Sequence, residues 1–185
     1  MKSRNTMKLA ISGLLTAIGL IIPMFSPVRV LIEPASFTLA SHVAIFIAMF
    51  ISPAVAVSVA AGTTIGFLFG GFPTIVVLRA ATHIVFAFAG SLYIHKISKS
   101  NLSFINLRIF SFCIALIHAV GELVVVSFFY FGGNISTAHI EKGYVMSVLL
   151  LVGLGTVIHS MIDFEIAHIA LLPLKKQKNL AEYIA

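Results

Sequence analysis

Six apolar runs follow one another along this chain, at 7–25, 38–51, 54–69, 74–95, 107–131 and 144–172. They are too long and too poor in charge to be hidden in the core of a soluble protein of this size. Helix-ending chemistry marks several breaks between them. The first run ends at Pro23 to Pro27, the second at Ser52-Pro53, and the third at Gly70-Gly71-Phe72-Pro73. Proline has no N–H with which to continue a helix, and paired glycines release the chain. A bilayer core about 30 Å thick takes about 20 apolar helical residues to cross. The second and third runs, at fourteen and sixteen residues, lie at or below the lower end of that range. They call for tilt or burial among neighbouring helices, or for an interfacial or re-entrant second segment.

Composition decides what such runs mean. Hydrophobic residues make up 59% of the chain and charged ones 10%, against roughly 45–50% and about 25% in soluble domains. The surface must therefore face lipid. The expectation is an all-α integral membrane protein, a six-helix transmembrane bundle forming a single domain over residues 1–185. The connections are too short to hold a soluble catalytic domain or an ATPase.

A net charge of +6 would raise nucleic-acid binding in a soluble protein. Here the basic residues lie between the apolar runs, so they speak of membrane orientation instead. Lys2, Arg4 and Lys8 precede the first run, Lys96, Lys99 and Arg108 surround the fourth-to-fifth connection, and Lys175, Lys176 and Lys178 follow the sixth. With six crossings these groups share one side, and only Arg29 and Lys142 fall on the other. Positive residues stay in the cytoplasm, so both termini are expected there. The basic, then apolar, N-terminus has the look of a signal peptide. It offers no small-residue cleavage site around Met24-Phe25-Ser26, and losing the first run would spoil the charge asymmetry, so it is expected to be retained. Cys113, alone in an apolar run, is read as a small packing residue.

Ionisable groups at bilayer depth cost several kcal/mol unless paired or wetted, so each one is a functional candidate. Arg79 lies six residues past Pro73, and His83 follows on the same helical face. His42 sits early in the second run, and Glu122 in the outer half of the fifth, with His118 one turn deeper. These groups fall at similar depth and, if they converge, line a pocket open to the outside. Glu33 stands in the loop before the second run, and Phe67, Phe69 and Phe72 could form an aromatic lid. Such a pocket suits a small planar solute with a polar or anionic substituent. The alternative is that Arg79 and Glu122 form an ion pair that locks two helices.

Two pairs at i,i+4 spacing, His118 with Glu122 and His159 with Asp163, could instead hold a divalent metal in an intramembrane enzyme. Neither matches a metalloenzyme motif. Asp163 and Glu165 are read as a cytoplasmic-side helix contact or partner surface. A structural assembly subunit without a ligand is a further alternative. In the first run Ala10, Gly13 and Ala17 form a small-residue stripe, with Ser12 and Thr16 beside it, able to pack closely against another helix inside or outside the bundle.

Six runs, cytoplasmic termini, the stripe, and the strings Glu33-Pro-Ala-Ser-Phe-Thr-Leu-Ala-Ser-His42, Gly62-Thr-Thr-Ile-Gly-Phe67, Gly71-Phe-Pro73 and Leu78-Arg-Ala-Ala-Thr-His83 carry a resemblance. The chain resembles the substrate-binding S components of vitamin-specific energy-coupling factor (ECF) transporters, over most of its length. The resemblance implies a multi-pass protein of the plasma membrane that captures a vitamin or precursor outside, without catalysis of its own. It implies association with a transmembrane coupling protein and two ATPases, which use the ATP, and release of substrate by toppling in the bilayer. No cofactor or metal is implied for this chain. The family's docking motif would fall on Gly13 and Ala17, with Ser12 and Thr16 adjacent and glycine and threonine partly replacing the usual alanines. Its pocket would lie in the outer half, at the depth of Arg79, His83, His42 and Glu122, and with Phe67 and Phe72 these are the residues expected to bind the substrate. Arginine, two histidines and a stacking ring favour nicotinate. Hydroxymethylpyrimidine, pyridoxine and pantothenate are the alternatives.

Overall fold

The computed structural model of the chain describes residues 2–32, 34–96, 103–177 and 181–184. Glu33, Lys99 and Lys178, used in the reading above, lie outside the described residues. The elements run α1 (Lys2–Phe25), a hairpin of β1 (Arg29–Ile32) and β2 (Ala35–Thr38), then α2 (Val43–Met49), α3 (Pro53–Phe69), α4 (Thr74–Lys96), α5 (Phe104–Phe131) and the short α6 (Thr137–Glu141). A ten-residue π-helical stretch, Val145–Leu154, then leads without a break into α7 (Gly155–Lys176).

Among the described residues, four helices are long and apolar enough to cross a bilayer: Arg4–Phe25, Thr74–Lys96, Ile105–Phe131 and the continuous Val145–Lys176. Their outward faces carry large hydrophobic residues such as Leu14, Val85, Ile109, Val124 and Ile169, all well exposed. A soluble protein would present polar groups there. These faces are satisfied in lipid, and the protein is an α-helical membrane protein. Cys113 also sits on the exposed face of α5, not in the packed interior where it was expected.

The second apolar run departs most from expectation. A helix over 38–51 is corrected to seven residues, because Thr38 still belongs to β2. Leu31 and Ser36, and Val30 and Phe37, pair across an antiparallel hairpin. Valine, isoleucine, phenylalanine and threonine suit a pleated surface and favour the strand locally. The chain then turns through Ala40, at φ +69°. Every residue of the short α2 is buried, so it is a plug inside the bundle and its faces meet protein on all sides. Side chains from distant helices bind both its ends: Asp163 of α7 at the first turn and Ser91 of α4, whose Oγ donates to Met49 O at 2.8 Å, at the last.

The remaining boundaries follow the expected chemistry. Ser52 caps α3 by accepting from Val55 N at 3.3 Å, and Pro53 occupies the first turn, where its missing N–H costs nothing. Gly71, at φ +73°, makes the tight turn into α4. Helices α1 and α3 approach closely because glycine replaces a side chain at the contacts. A Cβ on Gly62 would lie 2.8 Å from Thr16 Cγ2, and one on Gly66 would lie 2.3 Å from Leu20 Cδ2. Below α2, the rings of Phe46, Phe50, Phe86, Phe110 and Phe164 interlock at centroid distances of 5.4–6.3 Å. That aromatic layer closes the bundle on one side of the polar residues.

Candidate functional site

On the other side lies a cavity of about 620 Å³, roofed by the hairpin and walled by α3, α4, the start of α2 and the segment Asn134 to Ser136. Arg79, His83, His42, Glu122, Phe67 and Phe72 all line it. Six residues scattered over eighty positions thus share one chamber. The two phenylalanines stack on each other, with centroids 4.4 Å apart and planes at 22°. They form one aromatic wall and leave no slot between them. Phe69, by contrast, is 86% exposed and takes no part.

Arg79 and Glu122 meet. Arg79 Nη2 donates to Glu122 Oε2 at 2.8 Å, and the same oxygen accepts from Thr156 Oγ1 at 2.6 Å. Arg79 Nη1 reaches Pro34 O at 3.4 Å, which ties the helix to the hairpin roof. Both charged side chains are nearly sealed from solvent. At effective interior dielectrics such a pair survives only when its remaining donors and acceptors are also met. Here they are met in part. Arg79 Nε, His83 Nε2 and Thr63 Oγ1 are buried, line the cavity and have no hydrogen-bond partner. Unmade hydrogen bonds of this kind cost about 1–3 kcal/mol each, and a bound polar solute would satisfy them.

Glu122 Oε1 faces the other way, 3.6 Å from His83 Nε2 and 3.4 Å from His118 Nε2. His42 completes the group. Its ring centroid lies 4.8 Å from that of His83, 4.6 Å from His118 and 5.0 Å from His159, edge on to each.

Asp163 overturns the cytoplasmic-surface reading. It is fully buried. Its Oδ1 accepts from Ala40 N at 2.7 Å, and its Oδ2 accepts from His42 N at 2.9 Å and His42 Nδ1 at 3.0 Å. These N–H groups belong to the turn that leads into α2, and a carboxylate there gives them partners and places negative charge at the positive end of the helix dipole. Asp163 therefore holds the turn at Ala40, starts α2 and orients His42. Glu165, its neighbour but one, points elsewhere and pairs with Arg108 of α5. The i,i+4 pairs His118–Glu122 and His159–Asp163 both exist. Among the described residues, however, the compact donor groups are His42 with His83 and His118, and His42 with His159 and Asp163. The reading from spacing put the metal donors on α5 and α7 and left out the residue that joins them.

Sequence reasoning also missed Phe37, Thr63 and Arg29, which line the cavity. Phe37 is half-buried on β2 beside the equally half-buried Ser36, so no alternation in the short strand marked it. Thr63 carried no signal either, since a threonine in an apolar helix commonly bonds its own backbone. On α1, Gly13 and Ala17 lie on the exposed face, and a Cβ at Gly13 would meet nothing within 4 Å. Ser12 is buried and donates to Lys8 O at 2.9 Å, and Thr16 turns toward Gly62 of α3.

Lipid-facing helices around a partly open cavity, lined by apolar side chains with a cluster of ionisable ones, define an α-helical membrane protein with a chamber large enough for a small solute. The chain is 40% identical over 166 residues to the niacin transporter NiaX of Lactococcus lactis subsp. cremoris (strain MG1363), a match covering 90% of this chain and 73% of the relative. That likeness shows the family: the chain belongs to the family of the niacin transporter NiaX, and the resemblance to vitamin-specific S components holds at that level. No protein-family model matches the chain, and no solved structure gives a significant match.

Proposed function

We propose that this chain is the substrate-capture subunit of an ECF-type importer, and that it binds niacin as the nicotinate anion in the cavity beneath the hairpin. The observation that carries this reading is the unmet polar lining, Arg79 Nε and Thr63 Oγ1, beside the stacked Phe67–Phe72 wall. A planar ring lies against the phenylalanines, and its carboxylate takes N–H groups from Arg79, with Arg29 at the rim adding positive charge. The ring nitrogen and carboxylate together use donors that no side chain uses. Identity with a niacin transporter supports this choice over hydroxymethylpyrimidine, pyridoxine and pantothenate.

The chain makes and breaks no bond. Both termini face the cytoplasm and the cavity opens outside. Delivery follows docking on a transmembrane coupling protein driven by two ATPases, through the exposed Gly13 and Ala17 of α1, and reorientation in the bilayer. Thermal-shift screening of the purified protein tests the ligand, because a tight ligand stabilises by RT ln(1 + [L]/Kd), about 4 kcal/mol at a thousandfold excess over Kd. Nicotinate is expected to raise the unfolding temperature most. A larger rise with one of the other three vitamins would transfer the assignment to it. A rise with none would favour an assembly subunit.

A further inference from the structure

We propose that His42, His83 and His118, with Glu122 Oε1 as fourth donor, form a binding site for one divalent transition-metal ion of the zinc class at the inner wall of the cavity. The three histidines come from three elements, the first turn of α2 and the middles of α4 and α5, and all are buried. One ring nitrogen from each lies within 4.8 Å of the others.

The separations favour coordination over hydrogen bonding. Glu122 Oε1 stands 3.6 Å from His83 Nε2 and 3.4 Å from His118 Nε2. Hydrogen bonds between such atoms measure about 2.7–3.2 Å, and neither nitrogen has a hydrogen-bond partner. Two donors each about 2.0–2.1 Å from a tetrahedral ion lie about 3.3–3.4 Å apart. The two carboxylate–imidazole separations thus come near the edge of a tetrahedron. The three ring nitrogens lie within 4.8 Å of one another, so the imidazoles need to close in by up to about 1.4 Å to complete it.

The surrounding shell is also that of a metal site. A ligating histidine commonly gives its other ring nitrogen to a carboxylate or similar group, which fixes the tautomer. His42 Nδ1 is held by Asp163 at 3.0 Å, and His118 Nδ1 lies 3.2 Å from Ser160 Oγ. Both leave Nε2 for the ion. Glu122 is fixed through its other oxygen by Arg79 and Thr156, so Oε1 is presented rigidly. Two carboxylates against one guanidinium leave the cluster with excess negative charge when its imidazoles are neutral, and a divalent cation reverses that sign beside a cavity suited to an anion. Three imidazoles and one carboxylate select borderline ions such as Zn²⁺, Co²⁺ or Ni²⁺ over Mg²⁺ and Ca²⁺. His42 and His83 line the cavity, which supplies the way in.

The test uses the full chain in detergent, purified without a polyhistidine tag, stripped with chelator and titrated with Co²⁺, then with Zn²⁺. One Co²⁺ per chain is expected, with the visible absorption of a four-coordinate nitrogen–oxygen site, lost on adding Zn²⁺. The double variant His83→Ala/His118→Ala should bind at least a hundredfold more weakly, while His168→Ala, outside the cluster, binds as the parent does. Circular dichroism and monodispersity report folding for each. Should the double variant fail to fold, His118→Gln, which fills the same space with one fewer metal donor, replaces it with the same expectation. Less than a tenth of an equivalent of Co²⁺ or Zn²⁺ in the folded parent would overturn the proposal, as would parental affinity in a folded variant. No step requires niacin, so a chain that takes metal and not niacin keeps this site and loses the function proposed above, and the converse separates equally.

Discussion

Arg79 and Glu122 admit two roles, a lock between α4 and α5 or a grip on the ligand, and a double-mutant cycle separates them. Arg79→Met alone leaves Glu122 sealed in the bundle with Thr156 as its remaining close donor. Glu122→Gln alone leaves the guanidinium buried without an anion. Breaking a buried pair from one side costs about 3–5 kcal/mol. Neutralising both partners removes the stranded charge, so the double variant should lie within about 1–2 kcal/mol of the parent, giving a coupling energy of at least about 4 kcal/mol. For a chain of this length each kcal/mol moves the unfolding temperature by about 2–4 °C, so each single change should lower it by about 6–20 °C and the double by no more than about 8 °C. The protein contains no tryptophan, so unfolding is followed by far-UV circular dichroism and nicotinate binding by calorimetry or radiolabel. The double variant, although restored in stability, should bind no nicotinate, because the Arg79 N–H groups are gone. Equal instability in all three variants would refute the locking pair. Parental nicotinate affinity in the double variant would refute the grip and leave Arg79 a purely structural residue.

Three further outcomes are expected. Asp163→Asn removes the charge that holds three donors at the start of α2 and should cost about 3 kcal/mol, with faster amide exchange at Ala40 and His42; unchanged exchange would show that the turn holds itself. Gly155→Ala places a Cβ 2.6 Å from Phe37 Cζ and pushes that ring into the cavity, so nicotinate should bind about tenfold more weakly, ~1.4 kcal/mol, while the helix itself gains from the alanine. Calorimetry showing full affinity would place Phe37 away from the ligand. A Cβ at Gly13 meets nothing within 4 Å among the described residues, so Gly13→Leu should leave binding and thermal stability unchanged while uptake in vesicles with the coupling module is lost; intact uptake would remove this face from docking.

The long crossings were legible because hydrophobic length and helix-ending residues are local properties. The breaks at Ser52-Pro53 and Gly70-Gly71 fall where the capping hydroxyl and the positive φ require them. The convergence of Arg79, His83 and Glu122 on one cavity was legible too, since the level of a residue along its helix follows from counting at a fixed rise. The π-helical stretch Val145–Leu154 was not, because its residues are apolar on every side and no period in them distinguishes a wide turn from an ordinary one.

Asp163 shows where counting fails. Read along its own helix, it is one turn beyond His159 and two residues before an acid that does reach α5, so a cytoplasmic-side helix contact or partner surface followed. Its actual partners lie 121 and 123 residues earlier, in the turn at Ala40 that leads into α2. A fourteen-residue run reads as a short crossing when judged by hydropathy alone. With a carboxylate waiting inside the bundle, the same run spends its first residues in a strand and a strained turn, and only seven in a helix. His42 is thereby drawn from the edge of a presumed crossing to the centre of the polar cluster, where it touches both histidine–carboxylate pairs. Fold and site are settled by one interaction here: the side chain that starts α2 also decides which way His42 points into the cluster.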